Sequence, residues 1–252
     1  MTTVIQYPEF KYVDTALNGF HNRNNVMTLA ELSATLKAQG GLRDSSVTWH
    51  RFPAAYQEHW KHGRNGKRSV AGYNGPSYSD YVPFDFDAGS LDVAHAQAVT
   101  FAAWLVAHDV PPLHLHCYFS GAKGFHILLS ASLFGGWSPS TTLHAHQARL
   151  ATSLANAAKV DIDESIYDLN RILRLPNTIN SKTGLYKIAI TAEELCGDLT
   201  TDQITDLAHQ RRDIAPVDWS IAQQAERLAA LWRTAQQDVS FRSKPKPSGT
   251  IS

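Results

Sequence analysis

The chain has 252 residues, 43% hydrophobic and 18% charged, and its 23 basic and 23 acidic residues leave no formal net charge. That length buries a substantial core, as one large domain or two small lobes, and the neutral balance excludes a global basic field while allowing a local cationic groove. Two cysteines, Cys117 and Cys196, exclude a disulfide framework and a four-cysteine zinc site; the start Met1-Thr2-Thr3-Val4-Ile5-Gln6 lacks a signal-peptide pattern and no apolar run spans a membrane, so a cytoplasmic location without membrane contact is the expectation.

In chain order, residues 1–24 are mixed and polar, with a short helix predicted over 14–22. Thr28 followed by Glu31 is a capping-box pattern that opens a helix over about 29–39, closed by Gly40-Gly41. Val47-Thr48-Trp49-His50-Arg51-Phe52 reads as a strand with Val47, Trp49 and Arg51 on one face. Residues 59–80 read as a long loop in which His59, Lys61, His62, Arg64, Lys67 and Arg68 precede Tyr73, Tyr78 and Tyr81. Such a mixture suits phosphate attraction and base stacking, and equally a solvated loop.

Ser90 or Asp92 caps a helix running to about Ala107, stopped by Pro111-Pro112. Residues 113–119 and 125–130 read as two strands joined by a Gly-rich connection. Residues 140–159 are predicted helical and 160–166 extended, followed by a basic segment over 171–182 and a strand over 185–190. Beyond 191 the chain turns helical, with Thr200-Thr201-Asp202 before one helix and an amphipathic helix over 221–237. This divides the chain into a core at 1–190, a helical extension at 191–240 and a linker-like tail at 241–252, whose composition suits a junction to a larger parent chain.

Three segments carry chemistry. In Val82-Pro83-Phe84-Asp85-Phe86-Asp87, strand alternation puts both acids on one face and both phenylalanines on the other. Paired carboxylates repel unless a cation or a shared proton relieves them, so the pattern suits a divalent metal; alone it better describes a strand running into a solvated turn, and the segments downstream reverse that balance. Ser120-Gly121-Ala122-Lys123-Gly124-Phe125-His126 supplies a turn whose N–H groups form an anion nest, with a hydroxyl, a cation and an imidazole for a triphosphate. It is not a Walker A loop. The run from Asp161 to Pro176 combines Asp161, Asp163 and Glu164 with Arg171 and Arg174, and Lys182 follows; the arginines match phosphate oxygens or, equally, structural ion pairs. Together the segments meet the needs of nucleotidyl transfer, where two cations about 4 Å apart require several carboxylates and the triphosphate requires cationic partners.

The order hydrophobic-D-x-D, S-G-x-K-G-x-H and D-x-x-I-Y-x-x-N-R-x-x-R, over residues 82–187, resembles the archaeo-eukaryotic primase superfamily. In particular it resembles the primase-polymerase (PrimPol) catalytic domains of phages, plasmids and other mobile elements. The resemblance implies an α+β fold in which an N-terminal α/β unit joins an RRM-like sheet, with C-terminal helices. It implies Asp85, Asp87 and Asp163 as catalytic, metal-binding carboxylates for two Mg²⁺ or Mn²⁺ ions. The register of Ile166-Tyr167 and Asn170-Arg171 selects Asp163 over Asp161 and Glu164. It further implies nucleotide contacts from Ser120, Lys123, His126, Arg171, Arg174 and Lys182. Zinc modules of relatives need cysteines that this chain lacks, and the pairs His114/His116 and His144/His146 read as surface or packing residues.

The implied activity is template-directed synthesis and extension of primers on single-stranded DNA from NTP or dNTP, with a helicase or another replication protein as a possible partner. The alternatives are a repair or end-joining polymerase that extends primers without starting them, a non-catalytic replication-initiator module, and a metal-dependent phosphohydrolase. A ribose selector is expected near the 2′ position, at Tyr167 or at a residue of the Tyr73–Tyr81 loop, and the sequence does not choose between them.

Overall fold

A computed structural model describes residues 7–38, 42–63, 66–213 and 224–237. Its class is α+β, as expected, with two four-stranded antiparallel sheets. The first sheet has the order β2-β1-β3-β7, from β1 (Tyr12–Ala16), β2 (Asn25–Thr28), β3 (Ser46–Thr48) and β7 (Ile172–Arg174). The helix expected over 14–22 is instead β1 followed by a 3-10 turn at Phe20–Asn22. Val13 and Thr15 favour extended backbone, and Asn18 and Gly19 both adopt positive φ, which ends any helix there.

Thr28 and Glu31 form the expected capping box, with reciprocal hydrogen bonds of 2.7 and 3.2 Å, and open α1 (Leu29–Ala38). The predicted Gly40-Gly41 stop lies outside the described residues. Helix α2 (Ala54–His62) occupies part of the stretch read as loop. Only Tyr56 and Trp60, one turn apart, bury its inner face, while His59, Lys61 and His62 complement the negative end of its dipole. Tyr73 and Tyr78 are core residues, and Tyr81 begins a buried strand, so none is a solvent-facing stacking platform.

The second sheet has the order β4-β6-β5-β8, from β4 (Tyr81–Asp87), β5 (His116–Phe119), β6 (Gly124–Ser130) and β8 (Ile188–Ile190). Helix α3 (Leu91–Val106), capped by the Ser90 hydroxyl, connects β4 to β5, and α4 (Leu143–Ala158) follows β6. Phe84 and Phe86 pack on Phe101 of α3, with ring centroids 4.5 and 5.5 Å away, and leave the acids of β4 on the other face. The expected RRM-like arrangement is not confirmed by this sheet. After α4 the chain runs beside β4 with the Asp163 N–H donating to the Asp85 carbonyl at 2.9 Å, but it forms no strand there. The last strand, β8, pairs with β5 instead.

Past 191, Thr200 and Gln203 make a capping box for α5 (Thr201–Leu207). The helix predicted over 221–237 is α6 (Glu226–Gln237), which starts later than expected: Gln224 and Ala225 precede it without helical structure, and 221–223 lie outside the described residues. Leu195, Ile204, Leu228 and Trp232 are buried in the same core as Phe84 and Phe101. The predicted tail at 241–252 lies outside the described residues. Among the described residues no helix is long and apolar enough to cross a membrane.

Candidate active site

Asp85 faces His126 across the β4–β6 pair, and His126 faces Tyr118 across β6–β5, so the three share one face of the sheet. The Nε2 of His126 lies 3.4 Å from Asp85, and its Nδ1 lies 2.8 Å from the Nζ of Lys187. Lys187 is buried just before β8. It also donates to the Arg174 carbonyl at 2.9 Å, tying the second sheet to β7 of the first, and lies 5.0 Å over the Tyr118 ring.

The neighbouring acids are more open. Asp87 is 3.6 Å from the ammonium of Lys123, and both side chains are exposed. Asp163, expected on a strand shared with Asp161, caps a 3-10 turn at Glu164–Tyr167. Its carboxylate accepts from the Ser165 N–H at 2.9 Å and the Ser165 hydroxyl at 3.0 Å, and Arg171 stands 4.0 Å away. That turn is anchored by Trp49 Nε1 donating to the Ile166 carbonyl at 2.9 Å and by Tyr167 Oη donating to the Pro83 carbonyl at 2.6 Å. Tyr167 is thus buried behind β4, where it cannot meet a sugar without leaving that bond.

The turn at 120–124 closes on itself. Ser120 Oγ accepts from the N–H groups of Ala122 and Gly124 at 3.3 and 3.1 Å, so these two are spent on the hydroxyl and do not form the expected nest. Gly121, at φ +80°, places its Cα against the backbone of Tyr186 and Lys187, where a Cβ would sit 3.0 Å from both. Gly124 is equally constrained, since a Cβ there would meet the Phe86 carbonyl at 2.8 Å.

Of the nine residues picked out in the sequence, Asp85, Asp87, Lys123, His126, Asp163 and Arg171 are linked by these contacts, and Ser120 shapes the turn beside them. Arg174 is engaged with Asp44 at 3.1 Å and the Ile179 carbonyl at 3.3 Å, although its charge still acts on His126 and Lys187. Lys182 is exposed, and its described contact is a backbone one to Asn180. Lys187 was missed. Its only signal is a lysine interrupting the apolar run around Ile188-Ala189-Ile190, and its partner His126 is 61 residues away. His144 and His146 lie on α4, where a spacing of two does not share a face.

Burial raises the Asp85 carboxyl to about 7, the Asp163 and Asp87 charges add to this, and Lys187 and Arg171 oppose it. Burial lowers Lys187 to about 7, with Arg174 adding and Asp85 opposing. His126 is held well below its ordinary value, first by burial and then by Lys187 and Arg174, so it is neutral.

Among the described residues no three His, Cys, Asp or Glu side chains converge as a metal-ligand group. The donor chemistry nevertheless suits a hard divalent cation, because Asp85 and Asp87 offer carboxylate oxygens from one strand face. Burial is the main cause of the rise at Asp85, and the repulsion from Asp163 and Asp87 that adds to it is what a cation would relieve. Asp163 would have to exchange its bonds to Ser165 to join them.

No family model and no curated protein matches the sequence. Among solved structures, the chain is similar to the AEP domain of the cyanophage S-2L primase-polymerase (PrimPol). The identity is 15%, over 79% of this chain and 89% of that one, and the TM-score is 0.39.

Proposed function

We propose that the chain is a template-dependent nucleotidyltransferase, a primase-polymerase that makes and extends primers on single-stranded DNA. One observation carries this reading: three segments far apart in sequence meet around β4. The Asp163 N–H binds the Asp85 carbonyl, Lys123 faces Asp87, and His126 faces Asp85. Acids clustered against cations suit phosphoryl chemistry, in which charge develops on oxygens and must be stabilised in place.

In this reading Asp85, Asp87 and Asp163 hold two Mg²⁺ or Mn²⁺ ions, which supply charge neutralisation and a more acidic attacking hydroxyl. Lys123 and Arg171, both solvent-accessible, trade their present carboxylate partners for triphosphate oxygens. The Ser120 hydroxyl hydrogen remains a donor, because its oxygen is the acceptor in both turn bonds. Lys187, through His126, supports the Asp85 carboxylate from the buried side. The 3′ hydroxyl, or that of the first nucleotide, then attacks the α-phosphorus, and a P–O bond forms as pyrophosphate departs.

The test is a single-stranded DNA template incubated with labelled NTP or dNTP and Mg²⁺ or Mn²⁺, with and without a primer. Product without primer is expected. Product only with a primer would move the reading to an extension or repair polymerase. Free phosphate in place of pyrophosphate would mark a phosphohydrolase, and no nucleotide turnover at all a binding module.

A further inference from the structure

The connection between β1 and β2 is held from within by contacts that leave its outer groups open. Asn18 donates its N–H to Ser45 Oγ at 2.9 Å, and its Oδ1 accepts from the Arg43 N–H at 3.2 Å. Asn22 Nδ2 donates to the Leu17 carbonyl at 2.8 Å, and Asn24 Oδ1 accepts from the Val70 N–H at 3.1 Å. Arg23 is anchored inward, to the buried Asp14 at 3.2 Å and to the Asn170 carbonyl.

What remains outward is a specific set. Asn22 keeps its Oδ1 as an acceptor, Asn24 keeps its Nδ2 as a donor, and the Asn25 side-chain carboxamide has no partner among the described residues, its backbone N–H being bound to Asp14. These amides, with Asn18, line a cavity of about 540 Å³ whose wall includes Trp60 and Arg68. The Arg68 guanidinium lies 4.8 Å over the Trp60 ring and makes no ion pair among the described residues. Between Asn18 and Asn22 in the same turn, Phe20 is 67% exposed, with the Arg23 guanidinium 5.9 Å from its ring centroid and the rest of the ring offered to solvent.

We propose that this turn and cavity bind an unpaired stretch of nucleic acid, with one base in the asparagine-lined cavity, a neighbouring base stacked on Phe20 and a phosphate on Arg68. Side-chain amides present a donor and an acceptor together, which is what a base edge requires. The cavity lies in the size range of small-ligand sites. A single guanidinium with its edge free matches a phosphate, and an exposed ring suits sequence-tolerant stacking. The first sheet also connects this surface to the acids. Arg23 and Tyr56 both hold Asn170, and the next residue, Arg171, faces Asp163. The proposal deepens the nucleotidyl-transfer reading by giving the template strand a seat.

The experiment is fluorescence anisotropy of a labelled twelve-nucleotide oligothymidylate in EDTA, without nucleotides. Phe20→Ala and Arg68→Ala, both at exposed positions, are each expected to weaken binding about tenfold with unchanged circular dichroism and melting temperature. Arg68→Ala should also flatten the salt dependence by roughly one phosphate contact. An abasic oligomer and a blunt duplex should both bind more weakly than the oligothymidylate. Wild-type affinity in both variants, equal affinity for the abasic oligomer, or equally effective competition by thymidine monophosphate would overturn the proposal. Since this assay needs neither cation nor synthesis, a Phe20-dependent DNA complex in a chain that makes no product would sink the catalytic reading alone.

Discussion

Lys187 places its ammonium 2.8 Å from the Nδ1 of His126, in a buried contact that spans 61 residues of sequence. An ammonium only donates, so Nδ1 accepts and the imidazole hydrogen resides on Nε2, toward Asp85. In its charged form, which burial leaves only partly populated at pH 7, the lysine thereby fixes the tautomer of His126 and sets a positive charge behind the most deeply set carboxylate of the site.

Replacing that lysine should change the pH dependence as well as the rate. Lys187 opposes the rise of the Asp85 carboxyl, so Lys187→Met should push Asp85 further up. The acid limb of the pH–rate profile should move to higher pH, with activity at pH 7 reduced roughly tenfold and partly recovered at pH 9. A profile of unchanged shape would show that Lys187 does not act through Asp85.

Asp85 also makes a prediction about stability. Its carboxyl is raised from 3.8 in the unfolded chain to about 7 in the fold, so between those values the native state binds more protons. Stability from this group is therefore present at pH 4 and is lost as pH rises toward 7 and above. In metal-free buffer Asp85→Asn should match the wild type at pH 4 and exceed it at pH 8 by on the order of 2 kcal/mol, or about 5 °C in Tm. Equal melting temperatures at pH 8 would contradict the burial of a charged Asp85.

The two glycines of the 120–124 turn should tolerate no side chain. A Cβ at Gly124 meets the Phe86 carbonyl at 2.8 Å, and one at Gly121 meets the Lys187 backbone with φ at +80°. Gly124→Ala and Gly121→Ala are each expected to cost about 1–3 kcal/mol in denaturant unfolding. Neutral effects would mean that the turn does not pack on β4 and the Lys187 segment as described.

How much of this was legible in the sequence depended on whether the signal was local. Strand β4 was, because a period of two separates Asp85 and Asp87 from Phe84 and Phe86. The caps of α1, α3 and α5 were too, because each is written within four residues. Helix α2 was hidden because Tyr56 and Trp60 are its only buried anchors among charged and polar neighbours. The tyrosines at 73 and 78 have the composition of a nucleic-acid contact, but tertiary packing took them into the core. Asp163 was singled out by its motif, and its place in a turn rather than a strand follows from Trp49 and Tyr167, whose partners are distant. Lys187 was invisible for the same reason.

Acid should destabilise the chain through a different residue. His50 is buried, and neither ring nitrogen finds a hydrogen-bond partner among the described residues. Burial, and then the charge of His144, hold it well below 6.5. The unfolded chain takes up a proton there and the native state does not, so stability is lost as pH falls below about 6.5. Each further pH unit costs up to about 1.4 kcal/mol. In urea titrations at pH 5 and pH 7.5, His50→Phe should narrow the gap between the midpoints, and an unchanged gap would assign the acid sensitivity elsewhere.

The central claim is that the β4 acids carry nucleotidyl transfer, and extension of a primed single-stranded template by purified protein tests it most directly. Wild type, Asp85→Ala, Asp87→Ala and the double variant are compared in Mg²⁺ and in Mn²⁺, with circular dichroism confirming that each is folded. The predicted result is incorporation by the wild type and a loss of roughly a thousandfold or more in every variant. Full incorporation by a well-folded double variant would contradict the account.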